Sequence, residues 1–297
     1  MKLRIGSRGS ELALWQARHI ADLLAARGFE SEISIIRTTG DHLQTASLVQ
    51  AGGKGLFTKE IEDALLSREI DLAVHSLKDL PTVLPDGLAL AAIPEREDPR
   101  DALLGRNLTE LPQGARVATS SGRRAAQLRY LRPDLAIAPV RGNVDTRLRK
   151  LREGQFDAMV LAAAGLRRLG LEREIAEVLD PEQMCPAAGQ GALAIETRMA
   201  DPAFEICRQL NHTASERAVN CERAALNALG GGCQLPIGAF AQVQDNRVRL
   251  LAVVLAPDGS LRLDAQAEGS AEEAAEAVSQ SLLAQGAAGL LSAFAGA

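Results

Sequence analysis

The stretch AVHSLKDLP, residues 73–81, delivers His75, Ser76, Lys78 and Asp79 directly behind an apolar run. A carboxylate beside an ammonium can be a solvated surface pair, and from these residues alone that reading stands level with a catalytic one. Position favours chemistry, because open α/β sheets bind their ligands at the C-terminal ends of parallel strands. In a second stretch, ALGGGCQLPIG at 228–238, Cys233 follows Gly230, Gly231 and Gly232. A cysteine among small residues is usually a buried small hydrophobe. Three glycines also permit positive φ and leave room for something bulky against the sulfur. The third stretch, TSSGRR at 119–124, sets Arg123 and Arg124 behind the hydroxyls of Thr119, Ser120 and Ser121. A guanidinium fork grips carboxylate or phosphate bidentately.

These arginines belong to a basic run. From Arg116 to Arg152 the cations are Arg116, Arg123, Arg124, Arg129, Arg132, Arg141, Arg147, Arg149, Lys150 and Arg152, against Asp134 and Asp145 alone. A solvated helix face accounts for Arg149, Lys150 and Arg152 and fits Arg123 and Arg124 less well. The whole chain is acidic, with net charge −5 and 3% aromatic residues, which disfavours a nucleic-acid binder that would need stacking platforms. Four cysteines without CxxC spacing and four histidines argue against a disulfide framework or a zinc site, so no metal is expected. The first residues, MKLRIGSRGS, lack the apolar core of a signal peptide, and no apolar run is long enough for a bilayer. The expectation is a cytoplasmic protein, monomeric by default, with no membrane partner.

The elements that must position these side chains follow an α/β grammar. Leu3–Gly6 reads as a strand, Ser10 as a helix N-cap, Glu11–Ala26 as an amphipathic helix stopped at Gly28, and Ser31–Thr38 as the next strand. That spacing predicts a βαβ unit in a parallel sheet. The polar, glycine-rich stretch 38–55 reads as a mobile loop beside a site. A helix from about Thr58 to Ser67 and a buried strand, Asp71–His75, come next. PEREDPRD at 94–101 reads as a boundary. Beyond it the pattern restarts: strand Arg116–Ser120, a helix to Leu131, strand Ala136–Val140, a helix closed at Gly154, and strand Asp157–Leu161. In both units a strand runs into a serine-rich turn and a helix, whose unpaired N–H groups suit anions. The expectation is two lobes facing one anionic ligand. From Ala239 three strands with turns at QDN and PDG form an antiparallel meander, and Ser270 with Glu273 a capping box that opens a helix ending near Gly286.

Taken together and in order, RIGSRGSELALWQA, GGKGLFTKEIE, DLAVHSLKDLP, TSSGRRAAQL, RGNVDTRL, PAAGQGALAIE and GGGCQLPIGA resemble the porphobilinogen deaminase (hydroxymethylbilane synthase) family across nearly the whole chain. The resemblance implies two lobes like those of periplasmic binding proteins plus a small C-terminal α+β domain with an antiparallel sheet. The corresponding domains are 1–95 with 190–212, 96–189, and 213–297. It implies a transferase that joins four porphobilinogen molecules head to tail on a dipyrromethane primer, itself bound as a thioether to Cys233. Asp79 would be the catalytic carboxylate. Ser76, Lys78, Thr119, Ser120, Ser121, Arg123, Arg124 and Arg141 would hold the cofactor, and Arg8, Ser10, Gln16, Phe57, Arg147 and Gln190 the substrate. Two positions depart from the family pattern: Gly122 where leucine is usual, and Gln50 where lysine is common. The alternative is a two-lobed anion sensor or carrier in which Asp79 and Cys233 are structural. It accounts for the lobes and arginines but not for a glycine-flanked cysteine or a third domain.

Overall fold

Ser10 accepts a hydrogen bond from the backbone N–H of Ala13 and so starts the first helix where the sequence places it. In this computed structural model, which describes residues 2–42, 58–230 and 235–295, strand β1 (Leu3–Ser7) precedes that helix, α1 (Glu11–Ala25). The α1 residues Gln16, Ala17, Ile20 and Leu24 recur at helical spacing and are buried. Strand β2 (Ser31–Ile35) completes the βαβ unit and pairs in parallel with β1. A short helix, α2 (Thr39–His42), then α3 (Lys59–Leu66), β3 (Leu72–Ser76) and β4 (Leu88–Ala92) follow. The pattern repeats with β5 (Asp101–Leu104), β6 (Arg116–Ala118), α4 (Gly122–Leu131), β7 (Ala136–Ala138), α5 (Val144–Arg152), β8 (Ala158–Ala162), α6 (Ala163–Arg168) and β9 (Ile175–Val178). Then come β10 (Leu193–Arg198), α7 (Pro202–Arg208), α8 (Thr213–Ala228), β11 (Ile237–Gln244), β12 (Arg247–Leu255), β13 (Arg262–Gly269), α9 (Ala271–Ala284) and α10 (Ala287–Ala295).

Two compact units result, Met1–Glu97 with Ala192–Glu216, and Asp98–Gly191 with Arg217–Ala297. The first holds a five-stranded sheet in the order β2-β1-β3-β10-β4, and the second one in the order β7-β6-β8-β5-β9. Both sheets are mixed, which corrects the expected parallel arrangement. In each, the fourth strand runs antiparallel to its neighbours: β10 between β3 and β4, and β5 between β8 and β9. These are the two strands on which the chain enters a unit from the other one, so no crossover helix of that unit precedes them and no parallel direction is imposed. Gly189 and Gly191, with φ of +74° and +85°, bracket Gln190 just before the return to the first unit. That left-handed backbone is one that residues with a Cβ rarely adopt.

The second unit also contains the three-stranded antiparallel sheet β11-β12-β13, backed by α9 and its own apolar core. The capping box forms as predicted, with Ser270 and Glu273 bonding each other's backbone N–H. The small sheet packs on the lobe through Leu251, Val253 and Leu255 against Ala126 and Cys185. A Cβ on Gly238 would stand 2.8 Å from Cys185, so only glycine allows that approach. Among the described residues no helix is long and apolar enough to cross a membrane.

Candidate functional site

In the first unit the expected residues meet at one edge. Strands β1 and β3 lie side by side in parallel, with Gly6 opposite Ala73, so the residues after both strands emerge together. Arg8 and Ser10 follow β1, while Ser76 ends β3 and a 3-10 turn, Leu77–Asp79, continues from it. The Leu77 N–H donates to the Ala192 carbonyl at 3.0 Å and pins the turn. Lys78 is half-buried and Asp79 exposed. Gln16, one and a half turns into α1 and only 3% exposed, donates from Nε2 to Ser76 Oγ at 2.9 Å. With one lone pair so occupied, the Ser76 hydroxyl keeps its own proton for a ligand.

On the other face of β3, His75 Nε2 lies 2.9 Å from Glu196 Oε2, both side chains buried. Glu62 of α3 is close enough for the two to act on its charge. Burial pushes the Glu62 carboxyl up, and the Glu196 charge adds to that rise. The sequence reading assigned no role to Glu196 or Glu62. Their signal is faint: a lone acid near the end of the apolar run GALAIE, and another inside an amphipathic helix.

In the second unit the hydroxyl turn is built largely for structure. The Thr119 hydroxyl accepts from the Ser121 N–H at 3.2 Å. The Ser120 hydroxyl donates to the Val140 carbonyl at 2.7 Å and accepts from the Val140 N–H at 3.0 Å, tying this turn to the one that carries Arg141. Ser121 caps α4 by accepting from the Arg124 N–H. Gly122 is the first residue of an intact helix, so its departure from the family's leucine leaves the helix start in place. Arg147, on α5, donates from Nε to the Gly142 carbonyl at 2.7 Å and holds the RGN turn closed.

Arg123 and Arg124 sit deeper than an anion-gripping surface would require, at 5% and 7% exposure. Both pair with Asp101 at 2.7 Å, one on each carboxylate oxygen. Gln190 joins them, donating from Nε2 to Asp101 Oδ1 at 2.8 Å. The local basic field is therefore partly compensated by carboxylates, of which Asp101, Glu153 and Glu174 lie outside the stretch 116–152. Besides Arg123 and Arg124, Arg152 pairs with Glu174 and Arg149 with Glu153, while Arg132 pairs with Asp134. Asp101 was hidden from the sequence reading inside the charged boundary stretch, where acids are ordinarily solvated.

Cys233, Phe57 and Gln50 lie outside the described residues. The other three cysteines, Cys185, Cys207 and Cys221, are buried free thiols, and burial pushes each up to about 12. Iodoacetamide at pH 8 is expected to leave all three unmodified in the folded protein and to label them only after denaturation. Peptide mass mapping reads this, and labelling of any of them at the denatured rate would contradict their burial. Among the described residues no three His, Cys, Asp or Glu side chains group as metal ligands.

Solved structures similar to this chain include the methionine binding protein MetQ, with TM-score 0.46 and 14% identity over 70% of this chain and 89% of that one. A periplasmic substrate-binding protein of an ABC transporter from Coxiella burnetii has TM-score 0.44 and 14% identity over 72% and 93%. Sequence relatives are much nearer. Porphobilinogen deaminase from Syntrophobacter fumaroxidans is 49% identical over 92% of this chain and 90% of its own. Those from Syntrophomonas wolfei and Chromobacterium violaceum are 47% and 50% identical, covering 97% and 98% of this chain and 97% of each relative. These relatives carry an enzyme's name, which sets the carrier alternative aside. Residues 3–205 match the family model described as porphobilinogen deaminase, dipyromethane cofactor binding domain, and residues 217–285 match the porphobilinogen deaminase C-terminal domain. Two domain models and relatives of near-equal length agree: the chain belongs to the porphobilinogen deaminase family.

Proposed function

We infer that the chain condenses four porphobilinogen molecules head to tail into the linear tetrapyrrole hydroxymethylbilane, releasing ammonia, with growth from a dipyrromethane primer bound through Cys233. It works on this small-molecule substrate as a cytoplasmic monomer, and neither nucleic acid nor membrane takes part. The observation that carries the reading is the exposed Asp79 carboxylate, on a turn shared with Lys78 and at the same strand edge as Arg8 and the Ser10 and Ser76 hydroxyls.

Every pyrrole unit brings an acetate and a propionate, so cations and hydroxyls suit the chain and a carboxylate repels it. A carboxylate at such an edge has two uses: it accepts hydrogen bonds from pyrrole N–H groups, and it stabilises the positive charge that builds as the aminomethyl nitrogen departs. Asp79 takes both. Lys78 and Ser76 neutralise and bond acid side chains of the bound pyrroles, and Gln16 orients the Ser76 hydroxyl for that. In the second unit Thr119, Ser120, Ser121, Arg123, Arg124 and Arg141 belong to the cofactor's side of the chemistry. Arg8, Ser10, Phe57, Arg147 and Gln190 belong to the incoming substrate's. This donor set of guanidiniums, an ammonium and hydroxyls fits a polycarboxylate. When bound, dipyrromethane supplies the pyrrole carbon to which new units are joined. Cys233 is the sulfur that the family resemblance assigns to the thioether, and the burial of Cys185, Cys207 and Cys221 is in keeping with that.

The intact mass of the denatured protein tests this. It should exceed the 31.5 kDa of the bare chain by two condensed pyrrole units, and Cys233→Ser should remove the excess. A bare mass that persists after incubation with porphobilinogen would overturn the assignment.

A further inference from the structure

The buried carboxylate of Asp101, at the start of β5, is 0% exposed and has no role in the reaction as described so far. Its Oδ1 accepts from Arg124 Nε at 2.9 Å and from Gln190 Nε2 at 2.8 Å, and its Oδ2 pairs with Arg123 Nη1 at 2.7 Å. The arginines are held on their other sides as well. Arg123 Nη1 donates to the Cys185 carbonyl, Arg124 Nη1 to the Val160 carbonyl at 3.2 Å, and Arg124 Nη2 to Gln190 Oε1 at 3.3 Å. Adjacent guanidiniums on one helical turn repel, and burying them without a counter-charge is costly. One carboxylate between the two forks removes that repulsion and fixes both planes.

We propose that Asp101 is a positioning residue, an internal counter-ion that presets Arg123 and Arg124 for the acid groups of the primer and tempers how strongly the pair holds anions. This rests on the function proposed above, in which those arginines serve the cofactor. A buried carboxylate in ion contact with both guanidiniums does for the arginines, before any ligand arrives, what a ligand carboxylate would otherwise have to do. Preorganisation of this kind lowers the cost of binding. It also keeps a growing polyanion from being gripped too tightly to advance.

The two effects make opposite predictions for Asp101→Asn, an isosteric change that removes the charge. Uncompensated guanidiniums should attract any small anion, so the inorganic phosphate concentration giving half the maximal rise in melting temperature should fall about tenfold or more. Primer uptake from porphobilinogen, followed by intact mass, should slow at least about tenfold because the forks are no longer preset. Asp101→Glu, which restores the charge one methylene further out, should return the phosphate response towards wild type. If Asp101→Asn does not fold, Gln190→Leu keeps the Asp101 charge but removes the Gln190 Oε1 that accepts from Arg124 Nη2, which opens that donor to an anion and should lower the half-maximal phosphate concentration by about threefold. A phosphate response and primer uptake both equal to wild type in the folded variants would overturn the proposal. The phosphate arm needs no porphobilinogen, so it fails independently of the thioether test on Cys233.

Discussion

Asp79→Ala is expected to reduce turnover by about 10²–10⁴-fold, the range over which a positioned acid–base or charge-stabilising group acts. The fold should be unaffected. Asp79 is exposed, and its turn is held by the Leu77 N–H to Ala192 carbonyl bond and packed by Leu77 and Leu80, which are buried. The variant should therefore melt with the wild type and, once loaded, still carry the two-pyrrole mass. Asp79→Asn discriminates within the assignment, because the amide still accepts from a pyrrole N–H but cannot stabilise positive charge. If charge dominates, Asn should be nearly as slow as Ala. A steady-state rate within tenfold of wild type in Asp79→Ala, at full primer occupancy, would remove the catalytic assignment.

Local chemistry was readable wherever one segment determines its own structure. Ser10 and the Ser270–Glu273 pair cap the helices their sequences announce, because an N-cap bonds only to the next turn. The meander from Ile237 was readable for the same reason, since each turn fixes the next strand's register. Strands β4, β5, β9 and β10 were not. They are four to six residues long, and the direction of β5 and β10 is set by partners a hundred residues away in some pairings, such as His75 with Ala194. The site divides along the same line. Ser76, Lys78 and Asp79 come from one short motif, whereas the Gln16–Ser76 bond spans 60 residues. The Arg124–Asp101 bond spans 23, from a helix back to a stretch that reads as solvated linker. Charge counted along a chain measures what is adjacent in sequence, and for Arg123 and Arg124 the fold brings the compensating buried acid, Asp101, from another element.

That compensation changes what an arginine substitution does. Arg124→Leu removes one of two cations from a carboxylate with no access to solvent. The cost is therefore paid in folding before any ligand is involved, about 3–5 kcal/mol for breaking a buried pair from one side. A weakened surface contact to a ligand acid would cost less, about 1.5–3 kcal/mol. At about 2–4 °C per kcal/mol for a domain of this size, the melting temperature should drop on the order of 10 °C. The effect has a defined pH dependence. Burial alone would raise the Asp101 carboxyl, but the Arg123 and Arg124 guanidiniums more than offset it and hold the group well below the usual carboxylate range. A carboxyl depressed by folding stabilises the protein above its unfolded value, about 3.9, and loses that contribution as the pH falls towards its folded value. The gap in stability between wild type and Arg124→Leu should thus be full at pH 7, begin to close below about pH 4, and narrow further with acid. Urea titrations at pH 7 and at the lowest pH that keeps both proteins folded measure the gap directly. A gap that is absent at pH 7, or that widens in acid, would mean that Arg124 is spent on the ligand and not on Asp101.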